Sequence, residues 1–162
     1  MILKRLTIAM VALPLAVVAA GQLGLLAGSP PEPMGVAGGR LREPSYTPNS
    51  VSSQAALYPL HSQRAYAAID PLKFSGDGIA AMRQLAGVLR TLDGIAIVEQ
   101  SEDYLRAESS TRVLKFKDDL EFWLDPSGGV IHFRSASRLG RKDFGVNRDR
   151  MEIIRSRFQI QS

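Results

Sequence analysis

Cysteine is absent from all 162 residues of this chain. Disulfides, thiolate-bound metals and a lipidated cysteine at the N-terminus are therefore excluded. Histidine is almost as scarce: His61 and His132 are the only two, and their wide spacing matches no structural zinc motif. Excess charge is also small. The formal net charge is +4, of which Lys4 and Arg5 supply two, and the remainder is too little to imply a nucleic-acid partner. No internal repeat is visible, and no cofactor is implied by any motif.

What the chain does have begins with a leader. Met1 to Arg5 is basic, and Leu6 to Gly28 is almost wholly apolar, interrupted by Thr7, Pro14 and Gln22. About 20 apolar residues span a bilayer as a helix, whereas a signal peptide needs a shorter run followed by small residues, here Val18, Ala19 and Ala20. Residues 1–28 thus read as a signal peptide or a transmembrane anchor, with the membrane as partner. Basic residues precede the run and none follows until Arg40, which places the remainder outside the cytoplasm. The expected location is the bacterial inner membrane with the domain on the periplasmic side, or the periplasm itself if the leader is cleaved.

Residues 29–48 hold Pro30, Pro31, Pro33, Pro44 and Pro48 with Gly35, Gly38 and Gly39, a composition that resists helix and sheet and reads as a tether. Residues 49–162 are then one domain, since the length leaves room for only one core. Asp77 is placed to cap a helix with a buried stripe of Ile79, Met82, Leu85, Ala86, Leu89 and Leu92, ended by Gly94. A weak strand is expected within Ala65 to Phe74, confined by Pro71 to a sheet edge. Alternation then predicts strands at Ile95–Val98, Tyr104–Glu108, Val113–Lys117, Leu120–Leu124 and Val130–Ser135, with a hairpin turn at Asp125–Gly129. Asn147 reads as the N-cap of a terminal helix, with Val146 and Met151 as a hydrophobic staple. The fold class is α+β: a single small domain, mostly antiparallel sheet with two helices packed on one face, preceded by an N-terminal apolar helix.

The same alternation assigns two faces. Leu105, Ala107, Leu114, Phe116, Leu120, Phe122, Leu124, Ile131 and Phe133 form an apolar set for the helices to cover. Tyr104, Arg106, Glu108, Glu121, Trp123, His132 and Arg134 share the other side.

Four blocks carry a family resemblance: PNSVSSQA from Pro48, YLRAESSTRVLKFKDDLEF from Tyr104, VIHFRSASRLG from Val130 and GVNRDRMEIIR from Gly145. Together they resemble the bacterial family catalogued as domain of unknown function 1499. The resemblance implies a small envelope or membrane-associated protein and no known activity. Many relatives carry a cysteine pair around the Pro-Asn dipeptide; this chain has Pro44 and Ser50 there, so no disulfide or metal role carries over.

Candidate chemistry lies on the polar strands. Arg134 and Arg138, with Ser135 and Ser137 between them, suit a phosphate or carboxylate, because guanidinium forks and hydroxyls converge on one anion. The alternative is internal pairing, Arg134 with Glu121 or Glu108 and Arg138 with Asp118 or Asp119. Asp119 and Glu121 share a face, but the run lacks the ligand count and glycine of a calcium loop, so no metal is expected. Ser50, Ser52 and Ser53 lack a nucleophile elbow and suit turn and capping duty. Trp123 is placed to stack on a ligand or an arginine stem. The candidate ligand-binding set is Arg106, Glu108, Asp119, Glu121, Trp123, His132, Arg134, Ser135, Ser137, Arg138 and Asn147. Eight basic residues against three acidic ones from Arg134 onward allow contact with anionic lipid, or simply a solvated helix face. The leading expectation is a non-catalytic domain whose polar face binds an envelope protein, a lipid headgroup or a small anion. The alternative is a hydrolase of an anionic envelope substrate, with a base among Glu108, Asp119 and Glu121.

Overall fold

The computed structural model describes residues 2–160. Met1 of the leader and the last two residues of the domain, 161 and 162, lie outside the described residues, as do the side chains of residues 2–9, 11 and 160. In chain order the elements are α1 (Ile2–Gln22), β1 (Ser50–Ser52), α2 (Arg64–Ala67), β2 (Leu72–Lys73), α3 (Gly78–Arg90), β3 (Ile95–Gln100), β4 (Tyr104–Ser110), β5 (Lys117–Asp125), β6 (Val130–Ser137) and α4 (Val146–Ile160). The strands form one antiparallel six-stranded sheet in the order β1-β6-β5-β4-β3, with β2 also pairing β6. Sequential hairpins build most of it, which is why local alternation and turn residues predicted it well.

Helices α3 and α4 cover one face. Leu105, Ala107, Leu120, Phe122, Leu124, Ile131 and Phe133 meet Met82, Leu85, Leu89, Met151, Ile154 and Phe158 in a single buried cluster. The Asp77 carboxylate accepts from Ile79 N at 2.9 Å, as its capping position requires. The helix stops at Arg90 with Thr91 as its C-cap, three residues before Gly94. Gly94 instead turns the chain into β3: its φ is +76°, and a Cβ there would lie 2.8 Å from the Ser110 carbonyl oxygen.

One strand expectation needs correction, and another is met only by a short edge strand. Val113–Phe116 is a loop and Lys117 already opens β5, because Thr111 N donates to Phe116 O at 2.9 Å, Phe116 N donates to Thr111 Oγ1, and Lys115 has φ +57°. Leu114 and Phe116 consequently leave the core. Between Ala65 and Phe74, the short helix α2 precedes the two-residue edge strand β2, which begins only after Pro71.

Asn147 is not a cap but the second residue of α4, fully buried. Asp143 fulfils that role, accepting from Gly145 N at 3.1 Å and Asn147 N at 3.1 Å. Val146 is exposed and forms no staple.

Residues 29–48 have little regular structure, yet they lie against the sheet. Leu41 is buried, Leu41 N donates to Gln54 Oε1 at 2.8 Å, and Gly35 N donates to Glu121 Oε1 at 2.8 Å. Segment 29–48 is therefore a strap across the polar face. Among the described residues no helix is long and apolar enough to cross a membrane.

Candidate functional site

Register divides the candidate residues between the two sides of the sheet. Cross-strand partners Glu108↔Asp119, Arg106↔Glu121, Glu121↔Arg134 and Trp123↔His132 share the polar side. Ser135 and Ser137 alternate with Arg134 and face the helices, where Asn147 meets them. One expected locus is thus two, back to back at the same end of the sheet.

On the polar side, Arg138 is saturated. Its Nε and Nη2 clasp Asp119 at 2.8 and 2.7 Å, and Nη2 also donates to Glu108 Oε1 at 2.6 Å. The hydrogen bonds to Asp119 outweigh burial and hold its guanidinium well above the ordinary range. Lys117 Nζ grips the other oxygen of Glu108. Burial alone would raise the Glu108 carboxyl, but the bonds from Lys117 and Arg138 prevail and hold it below the usual carboxylate range. Neither residue is free for a ligand. Internal pairing describes Arg138, with Glu108 added to the expected Asp119.

Arg134 differs. It is only 3% exposed, and its Nε donates to the Glu43 carbonyl of the strap at 3.1 Å. Its Nη1 stands 3.8 Å from Glu121 Oε2, and neither of those two buried atoms has a hydrogen-bond partner. The other Glu121 oxygen is occupied by Gly35 N and by Tyr104 Oη at 3.0 Å. Burial pulls the Arg134 pKa down against the attraction of Glu121. Beside it the strap encloses a cavity of about 310 Å³, lined by Arg42, Arg134, Asn49, Asp119 and Gly140 among others. Asn49 Oδ1 is also a buried atom without a partner, while Asn49 Nδ2 donates to Gly140 O at 2.8 Å. A donor and an acceptor at one cavity wall suit a small group that carries both functions.

Arg106 leaves this locus, reaching its β3 neighbour Glu99 at 3.4 Å instead of its β5 neighbour Glu121. Trp123 stacks on His132 with ring centroids 5.8 Å apart, beneath Gly39 of the strap. His132 Nδ1 meets Ser53 Oγ at 3.1 Å, and its Nε2 lies 3.7 Å from Asp125 Oδ2. Burial keeps the His132 pKa low despite Asp125. These are the residue types of a hydrolytic triad, but 3.7 Å exceeds hydrogen-bond reach, and Ser53 Oγ is anchored by Phe133 N at 2.9 Å. Ser53 is a sheet-edge fastener.

On the helix side, Asn147 is the hub. Its Nδ2 faces Asp143 Oδ2, Ser137 Oγ and Asn49 O at 2.9, 3.0 and 3.1 Å, while its Oδ1 accepts from Ser135 Oγ at 2.5 Å and Arg150 at 2.9 Å. Arg150 also pairs with Asp118 at 2.5 Å. Asp143 accepts from Tyr66 Oη at 2.5 Å. Burial would raise the Asp143 carboxyl, but the bonds from Tyr66, Asn147 and backbone amides hold it below its ordinary value. Asp143, Tyr66, Asn49 and Arg150 were not among the sequence candidates. The one local signal was an aspartate just ahead of a helix start.

The fold and this polar architecture define a small α+β domain whose ionic residues are buried and mutually ordered on both sides of one sheet. The family model for a protein of unknown function, DUF1499, matches residues 40–158, and the chain belongs to that family. No curated protein and no solved structure matches it.

Proposed function

We propose that the domain is a non-catalytic binding module for a small anionic group, a carboxylate or phosphate that also offers a hydrogen-bond donor, taken up beside Arg134 under the strap. The observation that carries this reading is the pair of buried, unpartnered atoms Arg134 Nη1 and Asn49 Oδ1, on two residues that line the same cavity. Leaving such atoms unmatched costs about 1–3 kcal/mol each, which a ligand would recover. Asp119 and Glu108 are already committed to Arg138, and Glu108 is held ionised rather than poised near neutral pH, so nothing favours the hydrolase reading.

The basic start and apolar run of the leader support export, with the domain on the periplasmic side of the inner membrane. A reporter active only in the periplasm, fused after Ser162, gives signal under this reading; activity from a cytoplasmic reporter instead overturns it.

For the site, NMR titration with inorganic phosphate and with hydroxycarboxylates such as malate is expected to shift Arg134 Nε–H, the Asn49 side-chain amide and Gly140 saturably. Arg134→Lys, which keeps the charge but loses the fork, weakens that response. Shifts confined to exposed lysines, or none at 10 mM or so, would sink the assignment; an affinity in that range already corresponds to only about 3 kcal/mol.

A further inference from the structure

One end of the domain gathers exposed apolar side chains. The β4–β5 loop exposes Val113 (54%) and Phe116, and the β6–α4 loop exposes Leu139 (45%) and Phe144 (91%). These loops adjoin: Arg138 N donates to Lys117 O at 3.1 Å. Phe144 sits at φ +53°, a conformation uncommon for a bulky residue, so the backbone holds its ring outward at a cost in strain. Isolated exposed apolar residues are ordinary, but several on adjacent loops mark a contact surface.

Two further observations say what the surface meets. Around the apolar tips stand Arg112, Lys115, Arg141 and Lys142, none in an ion pair among the described residues. The one acid within the two loops, Asp143, is buried and committed to Tyr66 and Asn147. The leader also arrives at this end. Gln22 Nε2 donates to Val113 O at 2.7 Å, and a Cβ on Gly28 would lie 3.0 Å from Leu139 Cγ. Met10, Leu13, Leu15, Leu23 and Leu25 beyond it are all exposed.

We propose that the Val113–Phe116 and Leu139–Phe144 loops form a lipid-contacting surface that seats the domain on an anionic membrane, with the apolar tips entering the interface and the four basic residues at headgroup level. Apolar tips ringed by cations fit the interfacial layer of a bilayer, and the leader, entering at the same end, brings that layer to them. The inference is independent of the anion cavity. A soluble anion tests the cavity, and a bilayer tests the loops.

The absence of native cysteine allows the test to be made on the full chain with single-cysteine labels. Phe144→Cys, carrying an environment-sensitive fluorophore, is expected to shift to the blue on vesicles of phosphatidylglycerol with phosphatidylcholine and to be quenched by lipid-borne quenchers. The same label on Glu102→Cys, in the exposed turn at the opposite end of the sheet, is expected to stay solvated. Each basic residue near an anionic surface multiplies partition about fivefold, so Arg141→Gln with Lys142→Gln lowers it about 25-fold. The proposal fails if the protein binds vesicles through its leader while the label at 144 remains wet, or if the charge variant partitions unchanged. A blue shift that appears on raising protein concentration without vesicles overturns it in favour of a contact between copies of the chain.

Discussion

Replacing Asn147 by alanine tests whether the helix-side network holds α4 on the sheet. The substitution removes an amide that is fully buried and touches five partners: Asp143, Ser137, Asn49, Ser135 and Arg150. A net hydrogen bond contributes about 1 kcal/mol, and each partner left buried and unmatched costs about 1–3 kcal/mol. Arg150 retains Asp118, Asp143 retains Tyr66 and the Asn49 carbonyl retains Ser137 N, so the principal orphan is the Ser135 hydroxyl proton, whose oxygen keeps only the 3.3 Å contact from Arg150. The expected destabilisation is about 3–4 kcal/mol, a large share of the roughly 5–15 kcal/mol available to a domain. For a chain of this size that corresponds to a fall in Tm of about 10 °C or somewhat more. Urea denaturation followed by circular dichroism measures it, with the exposed Ser156→Ala on the same helix as control. A loss below about 1 kcal/mol, no larger than for an ordinary surface change, would refute the reasoning.

Asp143 and Glu108 both have carboxyl pKa values depressed in the fold. Their stabilisation is present above the ordinary carboxyl range of about pH 4 and is lost as pH falls through the depressed values. Asp143→Asn should flatten the acid limb of the stability profile below about pH 4, and an unchanged limb counts against the network. Gly94→Ala should destabilise by about 2 kcal/mol, since positive φ and contact with the Ser110 carbonyl oppose a Cβ. Gly87→Ala, at an exposed position of α3 with nothing within 4 Å, should stabilise by about 0.5–1 kcal/mol. Equal thermal shifts for the two variants would contradict this. Arg134→Met should cost about 3–5 kcal/mol by leaving Glu121 buried without its cation. Adding Glu121→Gln, which keeps an acceptor for Gly35 and Tyr104, should restore at least about 1 kcal/mol in denaturant melts, and strict additivity would argue against the coupling.

Elements built from short-range signals were legible in the chain. Asp77 announces α3, and alternation from Ile95 to Ser135 announces a sheet with an apolar and an ionic face, because period and capping depend on neighbours a few residues away. The Val113–Phe116 loop was misread for the same reason: VLKFK alternates, but Lys115 turns into the left-handed region. Asn147 passed for a cap because local spacing cannot distinguish a residue that ends a helix from one buried inside its first turn.

Partner choice belonged to the tertiary structure. Arg134 and Arg138 are four residues apart and chemically identical, yet one is clasped by Asp119 and Glu108 while the other faces a cavity with Nη1 unmatched. Strand register and the path of the 29–48 strap decide that difference. Composition could show that the strap avoids helix and sheet; only packing could lay Gly35 on Glu121 and Glu43 on Arg134. Hydrophobic period is written along the chain, but hydrogen-bond matching of buried charge depends on atoms brought together across some 90 residues, to within a few tenths of an ångström.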